Sequence, residues 1–378
     1  MIRKSRLYFL QKPVLSVLAG LFVFASASPL LAATNPSIPT LQIGYVNTTH
    51  HIPLVVALER GVEFESAGVY FKPLLAKQKY ELYAEGRKLA NIDIILNKSG
   101  SETATMFAMK RLDVALASIT AIMSGIDRGG EVKILCPLHV DGMSLVVPED
   151  SAVTTWEAFL AQVKTSKRPV AIGYHSPTSA PKIILESVLT QAGLQVTENP
   201  NNATANVLLV DLKSTSNFIP ALTGRQVDGV VAPAPFPEVI QLKGVGKIVT
   251  DLRDLPPHGA WHNFPCCVLA AREEVLTANP EPLGKLVELM AASTVWCNGH
   301  PDEVAAITEK WMGTPAEAVK MSTIVYTVEP STNWMQGVET YLTMLNRLKS
   351  FSGKLVGKSL EQVEPLLFEF KYIPNSEH

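Results

Sequence analysis

Short apolar runs alternate with amphipathic segments from about residue 41 onward. LQIGYV (41–46) predicts a strand, NTTHH a polar loop, and IPLVVALERG a helix with Pro53 in its first turn and Gly61 at its end. NIDIIL, DVALASITA and VKILCPL predict further strands, whereas the polar stretch 70–90 predicts a surface excursion. Ser99 and Glu102 have the spacing of a capping box at the start of the next helix.

The pattern begins again near residue 145. PVAIGY and NVLLVDL predict strands, with a helix capped near Ser179 between them. STSNFIPALTGRQVDGVVAPAPF repeats the order of SGSETATMFAMKRLDVALASITA: a Ser-rich opening, a helix, a basic turn, and an apolar-Asp pair that enters a strand. Helices are then predicted at 280–298, 301–310, 315–325 and 334–348. The alternation of strands and helices predicts an α/β fold of two similar halves with mainly parallel sheets.

The first 33 residues have the character of a secretory signal. A basic leader precedes the apolar run 14–24, and small residues follow at 25–27 and 31–33. An uncleaved N-terminal anchor is the alternative. No cysteine lies near the cleavage zone to accept a lipid. We therefore expect a soluble, exported protein, located in the periplasm.

Charge and composition exclude several classes of function. The formal net charge of −2 gives no basic field for nucleic acid, and four cysteines in 378 residues are too few for a disulfide framework. The chain has no Walker loop, no G-x-S-x-G and no H-E-x-x-H motif. Its length suggests two domains.

Four segments together resemble a known family. They are IGYVNTTHHIPLVVALERGVEF, SGSETATMFAMKRLDVALASITAIMSGIDRGGEVKIL, GRQVDGVVAPAPFPEVI and FPCCVLAAREEVL. They resemble the periplasmic substrate-binding proteins of ABC importers in the nitrate, sulfonate, taurine and bicarbonate group, relatives of the thiamine-pyrimidine synthase-like proteins.

The resemblance implies a two-lobed binding protein of type II-like fold, with the ligand between the lobes. Lobe one would comprise 41–143 and 262–345, lobe two 144–261, and 346–378 a C-terminal extension. Hinge closure would present the ligand to ABC permease subunits in the membrane. The implied protein is a monomer, is not an enzyme and needs no cofactor.

Ligand contacts are expected in the loops after the strands, because ligands of open α/β sheets bind at the carboxyl ends of strands. The candidate residues are Asn47, Thr48, Thr49, His50, Ser99, Gly100, Ser101, Ser118, Thr120, Tyr174, His175, Ser176, Thr178, Asp211, Pro233, Phe236, Cys266 and Cys267. Of His50 and His51, one should face the cleft and the other solvent, and the family position favours His50.

The adjacent Cys266 and Cys267 leave alternatives open. Side chains alternate along a strand, so one sulfur is expected toward the cleft and the other in the core. Both are interpreted first as small apolar fillers, then as a vicinal disulfide, and third as metal ligands together with histidines 50, 51 and 262. The preferred interpretation assigns no metal. A pyrimidine synthase-like enzyme, or a metal-binding or sensor protein using His50 and both cysteines, remains the alternative function.

The ligand class is also left open. Loop hydroxyls and a helix N-terminus favour an oxyanion. Asp211, Glu238 and His50 with two aromatic residues would suit a pyrimidine-like or amine-bearing ring. Because no dense arginine cluster occurs in these loops, we expect a small organic molecule over a doubly charged anion.

Overall fold

The computed structural model describes residues 38–374. The predicted signal peptide therefore lies outside the described residues. The strands are β1 Thr40–Val46, β2 Val69–Leu75, β3 Lys79–Ala84, β4 Arg87–Asn97, β5 Val114–Ser118, β6 Val132–Pro137, β7 His139–Val140, β8 Met143–Pro148, β9 Val170–Tyr174, β10 Val196–Thr197, β11 Val207–Asp211, β12 Gly229–Pro233, β13 Gly246–Asp251, β14 Cys267–Arg272 and β15 Val325–Tyr326. The helices are α1 Ile52–Arg60, α2 Gly100–Ala108, α3 Ile119–Asp127, α4 Trp156–Thr165, α5 Ala180–Gln191, α6 Phe218–Thr223, α7 Phe236–Leu242, α8 Glu273–Ala278, α9 Pro280–Gly299, α10 Pro301–Met312, α11 Ala316–Lys320, α12 Thr332–Arg347 and α13 Leu360–Leu367.

The strands form two large mixed sheets and one short strand pair. The first sheet has the order β2-β3-β4-β1-β5-β14-β6 and the second β10-β11-β9-β12-β8-β13. Parallel pairing joins β4-β1-β5 in the first sheet and β10-β11-β9-β12 in the second, and antiparallel pairing completes each sheet. The architecture is thus α/β as predicted, but the sheets are mixed: in the first sheet antiparallel pairs outnumber parallel pairs, where mainly parallel pairing was predicted.

The repeated apolar-Asp pair has the same structural role in both sheets. Asp113, before β5, accepts the backbone N–H of Gln42 in the neighbouring β1 at 2.8 Å. Asp228, before β12, accepts the N–H of Ala171 in the neighbouring β9 at 2.8 Å. Each carboxylate therefore ties the entry of one strand to the strand beside it, which explains why the motif occurs twice.

The prediction for residues 70–90 was wrong. This segment forms β2, β3 and the start of β4, which are antiparallel neighbours at one edge of the first sheet. In β3 the side chains of Tyr80, Leu82 and Ala84 are buried, while the polar residues between them are wholly or partly exposed. That alternation is typical of a strand with one solvated face, and the charged residues concealed it.

The chain passes between the two large sheets twice. The first connecting segment runs from the end of β6 at Pro137 to the start of β8 at Met143, and the second from the end of β13 at Asp251 to Cys267. The two segments contact each other, because Asp141 donates its N–H to Phe264 O and accepts the N–H of Phe264 on Oδ1. Val140 also forms a β-bridge with Pro265. Any motion of one sheet against the other must bend these segments.

Among residues 38–374, no helix combines the length and the apolar character needed to cross a bilayer.

Candidate functional site

A small cleft lies where the strand ends of the two large sheets meet, and both polar and apolar side chains line it. Its lining comes from the loop after β1, the N-termini of α2 and α5, the ends of β5 and β12, and the residues that lead into β14. The lining residues are Val46, Thr48, His50, His51, Gly100, Ala117, Ser118, His175, Ser179, Ala180, Pro181, Thr215, Pro233, Cys266 and Cys267. The cavity measures about 40 Å³, enough for only a few water-sized groups.

Hydrogen bonds join the two sides of the cleft directly. Thr48, after β1, donates from Oγ1 to Ala234 O at 2.7 Å. Ser101 Oγ, in the first turn of α2, lies 2.7 Å from Ser176 Oγ and 2.9 Å from Thr178 Oγ1. The cleft is therefore narrow because these loops touch.

A further bridge involves the residues at the start of α3. Thr120 donates from Oγ1 to Thr178 O at 2.6 Å, and Ser118 Oγ lies 2.6 Å from Thr120 Oγ1. The structure thus brings the predicted hydroxyl residues of both bridges close together. They form hydrogen bonds mainly with one another.

The helix that begins beside the cleft has the predicted cap. Ser99 accepts the N–H of Glu102 on Oγ at 3.3 Å. Glu102 in turn accepts a backbone N–H, but from Lys98, one residue before the position that a capping box requires. Ser99 therefore acts as a helix cap, while Gly100 lines the cleft.

Besides Ser99, five predicted contact residues lie away from the cleft lining and its bridges. One of them, Thr49, is buried, and its carbonyl accepts the hydroxyl of Tyr326 at 3.0 Å. Asn47 is exposed, and Tyr174 is buried with its ring near the Lys182 ammonium. Asp211 is paired with Lys213, and Phe236 packs edge-on against Phe218. The position after a strand indicates a loop correctly, but it does not fix which way the side chain points.

The histidines after β1 differ from the expectation. Both are buried, with 1% exposure each, so His51 does not face solvent. Its Nδ1 accepts the N–H of Val46 at 2.8 Å, and burial together with the neighbouring His50 lowers the pKa of His51 to about 3. His51 is therefore a neutral acceptor that shapes the loop, and His50 points into the space beside the two cysteines.

The cysteines also differ from the expectation. Both are free, and their sulfurs lie 4.0 Å apart. Cys266 Sγ is 3.3 Å from His50 Nδ1 and Cys267 Sγ is 3.8 Å from the same nitrogen. They do not point to opposite faces, because β14 begins only at Cys267 and Cys266 lies outside the regular strand. Burial raises the pKa of the Cys266 thiol well above its usual value.

One site residue was not foreseen. His139, in β7, has its ring centroid 4.1 Å from that of His50, and its buried Nε2 has no hydrogen-bond partner among the described residues. Burial lowers the pKa of His139 well below its usual value. The available signal is a lone imidazole inside the apolar run ILCPLHVDGMSLVV. His262, which the sequence suggested instead, is exposed and lies near Asp254.

Two more titratable groups near the cleft are perturbed. Burial raises the pKa of Glu238 to about 7, and its Oε2 has no partner among the described residues. Burial lowers the pKa of His175 to about 4. Neither the cavity lining nor these two groups supplies a fixed positive charge.

The two mixed sheets, with a cleft at their strand ends, have the two-lobed fold of periplasmic binding proteins. The chain belongs to the NMT1-like family, whose sequence model matches residues 34–313. This confirms the resemblance drawn from the sequence motifs. An uncharacterized protein of Methanocaldococcus jannaschii is 30% identical over 112 residues, which are 29% of this chain and 77% of that protein.

Solved structures share the fold at low sequence identity. The ligand-binding component of an ABC-type import system from Staphylococcus aureus, solved with zinc bound, is 14% identical with a TM-score of 0.67, covering 88% of this chain and 97% of that one. The alkanesulfonate-binding protein SsuA of Xanthomonas axonopodis is 14% identical with a TM-score of 0.64, covering 87% and 98%. The nitrate-binding protein NrtA of Synechocystis is 14% identical with a TM-score of 0.61, covering 87% and 85%.

Proposed function

We propose that the protein is an extracytoplasmic solute-binding protein that captures a small polar ligand between two lobes and delivers it to an ABC permease. The lobes would be the two large sheets with their helices, joined by the two connecting segments. The observation that carries the proposal is the set of direct hydrogen bonds across the cleft, from Thr48 to Ala234 and from Ser101 to Ser176. Loops that touch this way are expected of a binding protein in its closed state.

The chemistry of the cleft limits the ligand. Hydroxyls, imidazoles and a helix N-terminus line it, and no Lys or Arg does so among the described residues. A doubly charged anion would lack a compensating cation there. The cavity of about 40 Å³ is far smaller than the pockets of about 300 Å³ or more that hold drug-sized molecules. We therefore propose a small ligand that is neutral or carries one charge, with entry requiring the lobes to open.

The setting of the protein follows from the same proposal. Residues 1–33 would direct export and be removed, and the remaining chain would act as a monomer outside the cytoplasmic membrane. The proteins of known structure with this fold include ligand-binding components of import systems. We propose no reaction for this chain, and a permease is the partner that the proposal requires.

Thermal unfolding with candidate ligands tests the binding role. The purified protein is screened in EDTA against nitrate, bicarbonate, taurine, alkanesulfonates, aromatic carboxylates and pyrimidines. A ligand at 100 times its dissociation constant should stabilise the native state by about 2.7 kcal/mol. Compaction in small-angle X-ray scattering on adding the same ligand would link binding to closure.

A variant at the cleft sharpens the test. Ser101→Ala removes the hydroxyl that joins α2 to Ser176 and Thr178, so we expect the closed state to lose about 1 kcal/mol and ligand affinity to fall about fivefold. Ser66→Ala is the control, because Ser66 is exposed and does not line the cleft, and this variant should bind the ligand as the wild type does. Equal affinity in both variants would contradict a ligand site in this cleft.

A further inference from the structure

The strongest unassigned feature is a cluster of four buried side chains at the floor of the cleft. His50, His139, Cys266 and Cys267 each offer one nitrogen or sulfur, and these four atoms lie within 4.8 Å of one another. Their exposed fractions are 1%, 0%, 2% and 4%. Solute binding by loop hydroxyls does not require such a cluster.

The hydrogen bonds of the two imidazoles leave one lone pair each for the cluster. His50 donates from Nε2 to Gly142 O at 3.0 Å, which leaves Nδ1 as the unprotonated nitrogen facing both sulfurs. His139 donates from Nδ1 to Val140 O at 3.4 Å, which leaves the buried Nε2 without a partner among residues 38–374. Histidines that bind metals are usually oriented by such a bond from the other ring nitrogen to a carbonyl.

The spacing of the donors fits a tetrahedral ion. With zinc-sulfur bonds of about 2.3 Å and zinc-nitrogen bonds of about 2.0 Å, a tetrahedron has sulfur-sulfur edges of about 3.8 Å and sulfur-nitrogen edges of about 3.5 Å. The sulfurs lie 4.0 Å apart, and His50 Nδ1 lies 3.3 and 3.8 Å from them. Three of the four donors therefore already have the spacing of ligands around one ion, and the nitrogen of His139, within 4.8 Å of the others, needs only a small shift to complete the tetrahedron.

The backbone around the cluster is fixed by hydrogen bonds outside it. Ile119 donates its N–H to Cys266 O at 2.7 Å, and Leu138 donates its N–H to Cys267 O at 3.0 Å. Tyr341 donates its hydroxyl to Pro265 O at 3.0 Å. The site is thus preformed, with donors from the loop after β1 and from both segments that connect the sheets.

We propose that His50, His139, Cys266 and Cys267 bind one Zn²⁺ ion per chain. Two thiolates and two neutral imidazoles make a neutral complex with a divalent ion, whereas a monovalent thiophilic ion would leave a net negative charge in a buried site. The donor set contains no carboxylate, which excludes the oxygen ligands that Ca²⁺ and Mg²⁺ require. Four protein ligands leave no open position, so the ion fastens the β1 loop to the connecting segments and activates no water.

Metal stoichiometry tests the proposal directly. The protein, expressed from its full-length gene and purified under reducing conditions, is stripped with a chelator, loaded with Zn²⁺, desalted and analysed for metal. We expect one equivalent of zinc per chain. Replacing zinc with Co²⁺ should give the thiolate-to-metal charge-transfer absorption and the intense visible bands of tetrahedral cobalt.

Two site variants and one control variant separate the site from its surroundings. C266S/C267S and His139→Gln should each weaken zinc binding by more than about 100-fold. Loss of a residue that only hydrogen-bonds to a metal ligand weakens binding by at most about that factor, so a larger loss identifies a direct ligand. The matched control C136S/C297S replaces the other two buried cysteines, which lie outside the cluster, and should keep one equivalent. Circular dichroism and cooperative unfolding of the metal-free proteins show whether each variant folds.

Several outcomes would overturn the site. The wild-type protein alone can contradict the proposal. It would do so if it folds but holds less than a tenth of an equivalent of zinc, or if its cobalt form lacks the charge-transfer absorption. Equal zinc loss in C136S/C297S would move the metal elsewhere, and a wild-type preference for a monovalent ion with zinc excluded would contradict the charge argument. Because the solute screen is run in EDTA, either proposal can fail while the other holds.

Discussion

At the scale of single residues, the cleft region holds polar groups that lack partners. Glu238, in the first turn of α7, is 4% exposed, and its Oε2 meets no donor among the described residues. A carboxylate buried this way is costly, so the proton stays on and the pKa rises to about 7. Such a group links folding stability to pH.

The pH dependence has a definite sign. The pKa of Glu238 is about 7 when folded and about 4.3 when unfolded, so the native state binds more protons between these values. Stability is therefore fully present below the unfolded pKa and falls as pH rises through 7. Glu238→Gln should remove this loss, gaining about 2 kcal/mol over the wild type between pH 5 and pH 8 in urea unfolding.

The exposed Glu149 supplies the control for that measurement. Glu149→Gln should leave the pH dependence of the wild type in place. If the unfolding free energies of Glu238→Gln and the wild type change with pH in the same way across this range, the pKa of Glu238 is not raised by folding and the prediction is wrong.

The residues of the site were predictable from sequence to different degrees. His50 follows a predicted strand and was favoured by the family position, whereas Cys266 and Cys267 were singled out because two cysteines stand side by side at the start of a strand. His139 could not, because it is 89 residues from His50 and 127 from Cys266 in sequence and meets them only through sheet pairing. His51 was misjudged because its role depends on one local hydrogen bond to Val46.

At the scale of elements, one carboxylate anchors the C-terminal part of the chain. Asp127, at the end of α3, is 2% exposed and accepts the backbone N–H groups of Ser352, Gly353 and Leu355 at 2.8–3.1 Å. Its own carbonyl accepts the N–H of Lys354 at 2.9 Å. The turn between α12 and α13 is thus wrapped around a single side chain.

Asp127→Asn should loosen this turn. The substitution replaces one acceptor oxygen with an NH2 group, which would face the backbone N–H groups as a second donor. We therefore expect a loss of about 2–3 kcal/mol in unfolding free energy. Hydrogen exchange should accelerate over 351–367 while β1 and β5 keep their protection. Asp150→Asn, at an exposed ion pair with Arg225, should leave the unfolding free energy almost unchanged. Uniform exchange in the Asp127 variant would show that the turn has no local stability of its own.

Sequence patterns predicted elements well where one face is strongly apolar. The strand LQIGYV, the helices after Ser99 and Ser179 and the long α9 and α12 all appear. Two boundaries were wrong for physical reasons: Ile119 and Thr120 begin α3 instead of extending β5, and α11 ends at Lys320 because the chain then turns toward β15. Ser179 begins its helix without capping it, since its hydroxyl donates to Ser176 O.

At the scale of the whole molecule, the hydrogen bonds between the strand-end loops hold the two sheets together. From the first sheet's side, Thr48 and Thr120 each contribute one such bond and Ser101 contributes two. The repeated motif predicted two similar halves, but no pattern in one sequence encodes the angle between them. That angle depends on contacts between residues far apart in the chain.

Removing the three hydroxyls should favour an open form. The triple variant Thr48→Val, Ser101→Ala, Thr120→Val keeps the side-chain volumes nearly constant while removing the donors across the cleft, so the balance should shift by about 2–3 kcal/mol. We expect a larger radius of gyration in X-ray scattering than that of the wild type, for which a compact chain of this length gives about 20 Å. An unchanged scattering profile would show that other contacts keep the sheets together.

The placement of the four-residue cluster has a consequence for timing. In a rigid rotation, displacement grows with distance from the axis, and in the proposed closure this axis would pass near the two connecting segments, which touch each other at Val140 and Pro265. Atoms at the rim of the cleft would sweep several ångströms, while Cys266, Cys267 and His139 would barely change their separations. An ion held by them would stay in place through many rounds of opening. Its exchange with solvent would therefore be slow, even if the solute in the cleft is replaced in each round.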